Sequence, residues 1–186
     1  TTQSDNLDLW ALDTLGAKFD WITESSASNF NRPLTTFVNQ KQTALLLDVK
    51  DEGTEFLERT KPAHVDVYYK YSDIDFSRYE LFVAVTPYLY TDAIVDTIFY
   101  RPRVLNLGIG CRKDCDPEGI SEYIKTVLTE KKIAWRSIKS ISTIDLKKDE
   151  SLLSDLKASF DKVDVNIYTP HELQDIEVPN PSDKVK

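Results

Sequence analysis

Along this chain the spacing of hydrophobic and polar positions switches between two periods, and each switch marks a boundary between a strand and a helix. Residues 45–49 form an apolar run broken only by Asp48 that predicts a buried strand, 52–59 space their apolar positions as a short helix, 65–69 alternate as a half-buried strand, and 81–85 are a second buried run. After Arg101-Pro102, where proline restricts the residue before it, the pattern becomes clearer. Strands are predicted over 104–107, 140–144 and 163–167. Between them Ile120, Ile124, Val127 and Leu128 make one apolar face of a helix over 117–130, and Leu152, Leu153, Leu156 and Phe160 do the same for 151–160. A right-handed βαβ succession predicts a mainly parallel sheet covered by helices. The chain therefore reads as α/β, with two small units meeting near residue 101.

In such sheets ligands gather beyond the carboxyl ends of strands, and two of these ends carry chemistry. The first is the stretch from Val104 to Glu118, an apolar run that turns at Gly108 and Gly110 and meets Asp116 and Pro117, an N-cap followed by a proline suited to the first helical position. Backbone N–H groups beside a helix N-terminus, with Cys111, Arg112 and Lys113 at the same corner, suit an anion. The glycines are not spaced as in the dinucleotide fingerprint and no Gly-Lys-Ser/Thr is present. A plain tight connection explains the same residues. At the second end Thr143, Asp145 and Lys147 alternate, which would set them on one face toward a ligand; a solvated strand terminus with a local ion pair is the plainer alternative.

Individual residues divide in the same way. Cys111 could be a nucleophile if the helix dipole and Arg112 lower its pKa, or a small packing residue. Cys111 and Cys115 stand four apart with no histidine near in sequence, unlike a usual zinc pair. Asp114, Asp116 and Glu118 are explained by capping and dipole complementarity, with Glu118 as a general base the sharper alternative. His171, after Thr169-Pro170, belongs to a helix N-terminus.

Two of these motifs carry a resemblance. Leu107-Gly108-Ile109-Gly110-Cys111-Arg112 with Glu118 and Ile120, followed by Ser142-Thr143-Ile144-Asp145-Leu146-Lys147-Lys148 and Glu150, resembles the C-terminal domain of the CbiG family of cobalamin biosynthesis, which is also similar to the stand-alone protein CobE. Thr1 to Asp5, Leu9-Trp10-Ala11 and residues 38–46 resemble that family's middle, linking domain, with Arg101-Pro102 at the passage between the two. The expected domains are thus 1–101, the middle domain, and 102–186, the C-terminal domain cut short at its end. Residues 178–183 resemble a stretch that family members continue further. With no methionine anywhere, not even an initiator, the chain reads as part of a longer protein, so spacing inside a motif is safer evidence than spacing between motifs.

The resemblance implies a cobalt-precorrin-5A hydrolase of the anaerobic vitamin B12 pathway. The substrate would be a cobalt-bearing tetrapyrrole with many carboxylate arms and a δ-lactone, opened by water with release of acetaldehyde. Gly108, Gly110, Cys111, Arg112, Lys113, Thr143 and Lys147 would bind substrate, and Glu118 or Asp145 would activate water. Cobalt would arrive with the substrate, so the protein itself would hold no cofactor or metal. Other corrin-pathway enzymes are the expected partners. A tetrapyrrole carrier resembling CobE, or an interaction domain of a larger corrin-pathway enzyme, remain the alternatives.

Composition bounds this picture. The 186 residues carry a net charge of −8, distributed as −7 over 1–101 and −1 over 102–186. That sign argues against nucleic acid as a partner. The nine tyrosines and eight phenylalanines are expected in strands and core. No apolar run approaches the roughly 20 residues of a membrane span. Two cysteines make no disulfide framework, and the expected compartment is the reducing cytoplasm.

Overall fold

The computed structural model describes residues 10–27, 30–160, 162–174 and 176. Segments 1–5 and 178–183, on which part of the resemblance draws, lie outside the described residues, as does Leu9. The chain forms two compact units. One takes the described residues up to Leu105 together with Ile124–Ile138, and the other takes Asn106–Tyr123 and the described residues from Lys139 onward.

The first unit is built on a five-stranded sheet of β1 (Ile22–Ser25), β2 (Thr43–Leu47), β3 (Val65–Tyr68), β4 (Leu81–Val85) and β5 (Asp96–Arg101), in the order β1-β5-β4-β2-β3. The last four are parallel, and β1 joins the edge antiparallel to β5. Strands β2 and β4 are buried at every position, as their unbroken apolar runs require of central parallel strands. Helices α1 (Leu15–Lys18), α2 (Asn31–Val38) and α3 (Glu52–Thr60) belong to the same unit.

Helix α3 shows how locally specified this unit is. Asp51 caps it, accepting from Thr54 N–H at 2.8 Å while Thr54 Oγ1 accepts from Asp51 N–H at 2.9 Å. The second oxygen of Asp51 accepts from Trp21 Nε1 at 3.1 Å. A side chain at Gly53 would strike the Trp21 ring at 2.2 Å, so the glycine is the space the indole occupies.

The sheet buries one apolar layer on each face. Leu45, Leu47, Val83, Val85, Ile98 and Tyr100 face a cluster with Trp10, Trp21, Phe37 and Phe56. Ala44, Leu46, Phe82 and Ala84 face Ile74 and Tyr79, with Tyr71, Phe76 and Tyr90 packed alongside. This second layer comes from two 3₁₀ turns, Tyr71–Asp73 and Phe76–Arg78, in place of a crossover helix. Tyr71 and Tyr90 stack there at 4.1 Å, and Phe76 meets Phe82 edge-on at 5.1 Å. Many of the aromatic residues are therefore core.

Arg101, expected only as a breaker before Pro102, is the last residue of β5 and is 2% exposed. Its Nε donates to Glu24 Oε2 at 2.8 Å, and one terminal nitrogen donates to the carbonyls of Thr86 at 3.2 Å and Tyr88 at 2.6 Å. The guanidinium also lies over the Phe99 ring at 4.3 Å.

The second unit contains a three-stranded sheet in the order β6-β7-β8, from β6 (Leu105–Gly108), β7 (Ile138–Ile144) and β8 (Asp164–Tyr168). Strands β7 and β8 are parallel. Val104 N–H donates to Ser137 O and Ile109 N–H to Ser142 O, so β6 and β7 also advance together. Helix α5 (Ser151–Ser159) joins β7 to β8 and buries Leu152, Leu153 and Leu156. Helix α4 (Ile120–Glu130) carries the expected apolar stripe, although no residue of it is fully buried, and the division between units passes between its Tyr123 and Ile124. The short α6 (Pro170–Leu173) opens with a capping box of Thr169 and Glu172, with His171 exposed.

The helix expected from 117 begins three residues later. Asp116 Oδ1 accepts from Glu118 N–H at 3.0 Å, which is a local turn instead of a helix cap, and Gly119 then takes a φ of +75°, the left-handed region that glycine adopts without steric cost. The strand and helix are thus joined by a loop over 109–119.

Replacing Arg101 by Ala should leave Glu24 with Arg136 alone, at 3.2 Å, and take the guanidinium donor away from the carbonyls of Thr86 and Tyr88. Loss of hydrogen bonds to a charged group costs about 1.5 to 3 kcal/mol, which urea unfolding followed by tryptophan emission should register as a lower midpoint with an unchanged slope.

Candidate functional site

The loops after β6 and β7 meet around a cavity of about 770 Å³. One wall is made by Lys113, Cys115, Asp116 and Pro117, and the other by Leu146, Lys147, Glu150 and Ser151; Asp114 and Asp149 complete the lining. Two backbone links at Ile109 set this arrangement. Its N–H donates to Ser142 O at 2.9 Å and its carbonyl accepts from Thr143 Oγ1 at 2.9 Å, so the start of one loop is fastened to the end of the strand that begins the other.

The residues singled out from sequence separate here. Lys113 and Lys147 line the cavity. Thr143 is 6% exposed and spends its hydroxyl on Ile109, which makes it a fastener within the sheet. The expected alternation of Thr143, Asp145 and Lys147 ends at Ile144, because Asp145–Lys147 forms a 3₁₀ turn that rotates successive side chains by roughly 120°. Asp145 is consequently off the wall, half-buried, with Oδ1 enclosed and without a hydrogen-bond partner. Glu118 is exposed and also off the wall. Arg112, next to the wall residue Lys113, is exposed and makes no hydrogen bond or ion pair among the described residues. Gly108 and Gly110 have no atom within 4 Å of a built Cβ and no left-handed backbone, so neither packing nor local conformation requires glycine there.

Glu150 was visible in the motif but had no role assigned from sequence. Its side chain is 10% exposed and that of Lys147 is 19% exposed, and Lys147 Nζ stands 3.3 Å from Glu150 Oε1. The i,i+3 spacing was the available signal; it became informative only once the turn at Asp145–Lys147 brought the pair onto the cavity wall.

Cys111 is half-buried and feels this pair. Burial pushes its thiol pKa up, Glu150 pushes it further up, Lys147 opposes them, and Cys115 adds a smaller upward push. A raised thiol is the wrong direction for a thiolate nucleophile at neutral pH, so the activation of Cys111 by its helix and Arg112 is not what the site provides. Both cysteines are free, and no group of three or more metal-binding side chains occurs among the described residues.

An α/β chain with a lysine-bearing cleft at the carboxyl end of a parallel sheet belongs to a common class of small-molecule sites. Comparison with known proteins narrows the class. Residues 10–102 match the family described as cobalamin biosynthesis central region, and residues 105–186 match the cobalamin synthesis G C-terminus. The chain belongs to the CbiG family of cobalamin biosynthesis proteins. Over 189 aligned positions it is 30% identical to a cobalt-precorrin-5A hydrolase of Priestia megaterium, covering all of this chain and 50% of that protein. A crystal structure described as a cobalamin biosynthesis protein G homolog from Sulfolobus solfataricus is 14% identical, with a TM-score of 0.35, and covers 94% of this chain and 49% of that one. The chain thus spans about half the length of the relatives it matches. No helix among the described residues is long and apolar enough to cross a membrane.

In a Cys115→Ser protein, the pH midpoint for alkylation of Cys111 by iodoacetamide should lie above that of an ordinary thiol. Glu150→Gln should lower the midpoint and Lys147→Met should raise it. Shifts in the same direction would contradict the placement of Cys111 between the two charges.

Proposed function

We propose that this chain takes part in the hydrolysis of the δ-lactone of cobalt-precorrin-5A, with release of acetaldehyde to give cobalt-precorrin-5B. The observation that carries this reading is the meeting, around one cavity, of the two loops that follow the family motifs' strands, with Lys113 from one and Lys147 from the other on its wall. Membership of the CbiG family and the likeness to a cobalt-precorrin-5A hydrolase supply the substrate class.

The residues suit that substrate. A tetrapyrrole with carboxylate arms needs cations at its edge, and Lys113, Lys147 and the unpaired Arg112 lie in or beside the two loops. Leu146, 79% exposed on the wall, offers apolar contact to a macrocycle. The bare backbone at Gly108 and Gly110 leaves room for a ligand edge where any other residue would project a side chain. The carboxylates Asp114, Asp116 and Asp149 are exposed parts of the lining and disfavour anions that lack the cation contacts. Cobalt is part of the substrate, and the protein contributes binding groups and no metal of its own. Two free cysteines suit the cytoplasm, where this chemistry and any partner corrin-pathway enzymes would operate.

Incubation of the protein with cobalt-precorrin-5A should release acetaldehyde, trapped as its hydrazone. Binding of the tetrapyrrole without acetaldehyde would instead assign a carrier role. Arg112→Ala should weaken tetrapyrrole binding by roughly 10-fold to 150-fold, the equivalent of about 1.5 to 3 kcal/mol for a charge-assisted contact. Lysine at that position should recover only part of the loss, because a point charge does not reproduce the guanidinium fork. The unfolding midpoint should stay where it is. A variant that binds normally but unfolds easily would make this corner a structural turn.

A further inference from the structure

We infer that Glu150, in place of Glu118 or Asp145, is the catalytic base of the lactone hydrolysis, and that Lys147 is the residue that positions it; this inference rests on the hydrolase reading above. Three observations single it out. Glu150 is on the cavity wall, whereas Glu118 and Asp145 are not. It is also nine-tenths buried, while the other lining carboxylates, Asp114, Asp116 and Asp149, are exposed.

The third observation is what holds Glu150. It occupies the N-cap position of α5, beside the positive end of the helix dipole, but a glutamate is one methylene too long for the cap that an aspartate makes, and its side chain bonds no helix N–H. Lys147 holds it instead, with Nζ 3.3 Å from Glu150 Oε1. Nor does stability explain the pair, since taking two charges out of water costs about as much as their attraction returns. A carboxylate nine-tenths removed from water and fixed by a lysine at the edge of a ligand-sized cavity is arranged to act on something within that cavity.

The step balances on this residue. Water lying between Glu150 and the lactone carbonyl gives a proton to a Glu150 oxygen as its own oxygen bonds to the acyl carbon. The carbonyl electron pair moves onto the carbonyl oxygen and then returns as the acyl–oxygen bond breaks. The ring oxygen departs with that bond's electrons and takes the proton back from Glu150, leaving a carboxylic acid and a hydroxyl group with the base regenerated. Acetaldehyde then leaves as the hydroxyl loses its proton, its carbon–oxygen bond becomes a carbonyl, and the carbon–carbon bond to the macrocycle breaks with its electron pair passing into the conjugated ring, which takes up the proton. Lys147 holds the carboxylate in place throughout and adds positive charge near the oxyanion.

Steady-state release of acetaldehyde from cobalt-precorrin-5A tests the assignment. Glu150→Gln, which keeps the shape and a hydrogen bond to Lys147, should lower kcat by about 10²-fold to 10⁴-fold with KM changed by less than about threefold. Lys147→Met should lower kcat and Lys147→Arg should restore most of it, which a merely structural lysine would not require. Wild-type kcat in Glu150→Gln overturns the inference and leaves the hydrolase reading intact. A wild-type protein that binds the lactone and releases no acetaldehyde overturns the hydrolase reading and this inference with it. Should the glutamine variant fail to fold, Glu150→Asp decides. It keeps the charge and withdraws it by one methylene, so with native circular dichroism its kcat should fall about 10-fold or more, and an unchanged kcat overturns the assignment.

Discussion

Ile109 is the residue through which the candidate site is assembled. Its amide and its carbonyl are both bound to β7, at Ser142 and Thr143, so the first loop departs from a fixed point beside the strand whose own end starts the second loop. A parallel pair supplies only one of these links as an ordinary ladder bond. The other needs a hydroxyl side chain aimed at a neighbouring carbonyl, and Thr143 provides it from a buried position. Without such fastening, loops of eleven and six residues would have no reason to enclose a shared space.

The cavity follows from how each loop breaks its expected regularity. The first does not run straight into a helix, because Asp116 and Gly119 make local turns that delay α4 until Ile120. The second leaves the strand period at Asp145, and the 3₁₀ turn sends Lys147 and Glu150 toward the wall while Asp145 falls outside it. Irregular backbone at the carboxyl end of a parallel sheet is where an α/β protein places its adaptable chemistry, and membership of the CbiG family sets this chain within cobalamin biosynthesis.

The elements with strong period were legible in the sequence. Strands β2, β4, β7 and β8 and helices α3 and α5 fall within a few residues of their expected positions, because an unbroken apolar run or a stripe at helical spacing has few other ways to be buried. What escaped lacked such a period. The edge strand β1 is half-buried at all four positions, and the aromatic layer over β4 is carried by two 3₁₀ turns too short to show one. At the site, the pairing of the two motifs was visible but the selection among their residues was not. Thr143 looked like a ligand contact until its hydroxyl was found bonded within the sheet, and Glu150 gained meaning only from the turn that precedes it.

The division into units also makes the molecule optically unequal. All three tryptophans, Trp10, Trp21 and Trp135, belong to the first unit, whereas the second has the tyrosines Tyr123 and Tyr168 and no indole. Tryptophan emission during unfolding therefore reads the surroundings of three indoles in the first unit, and far-ultraviolet ellipticity followed beside it adds a signal to which the strands and helices of the cavity-bearing unit contribute directly.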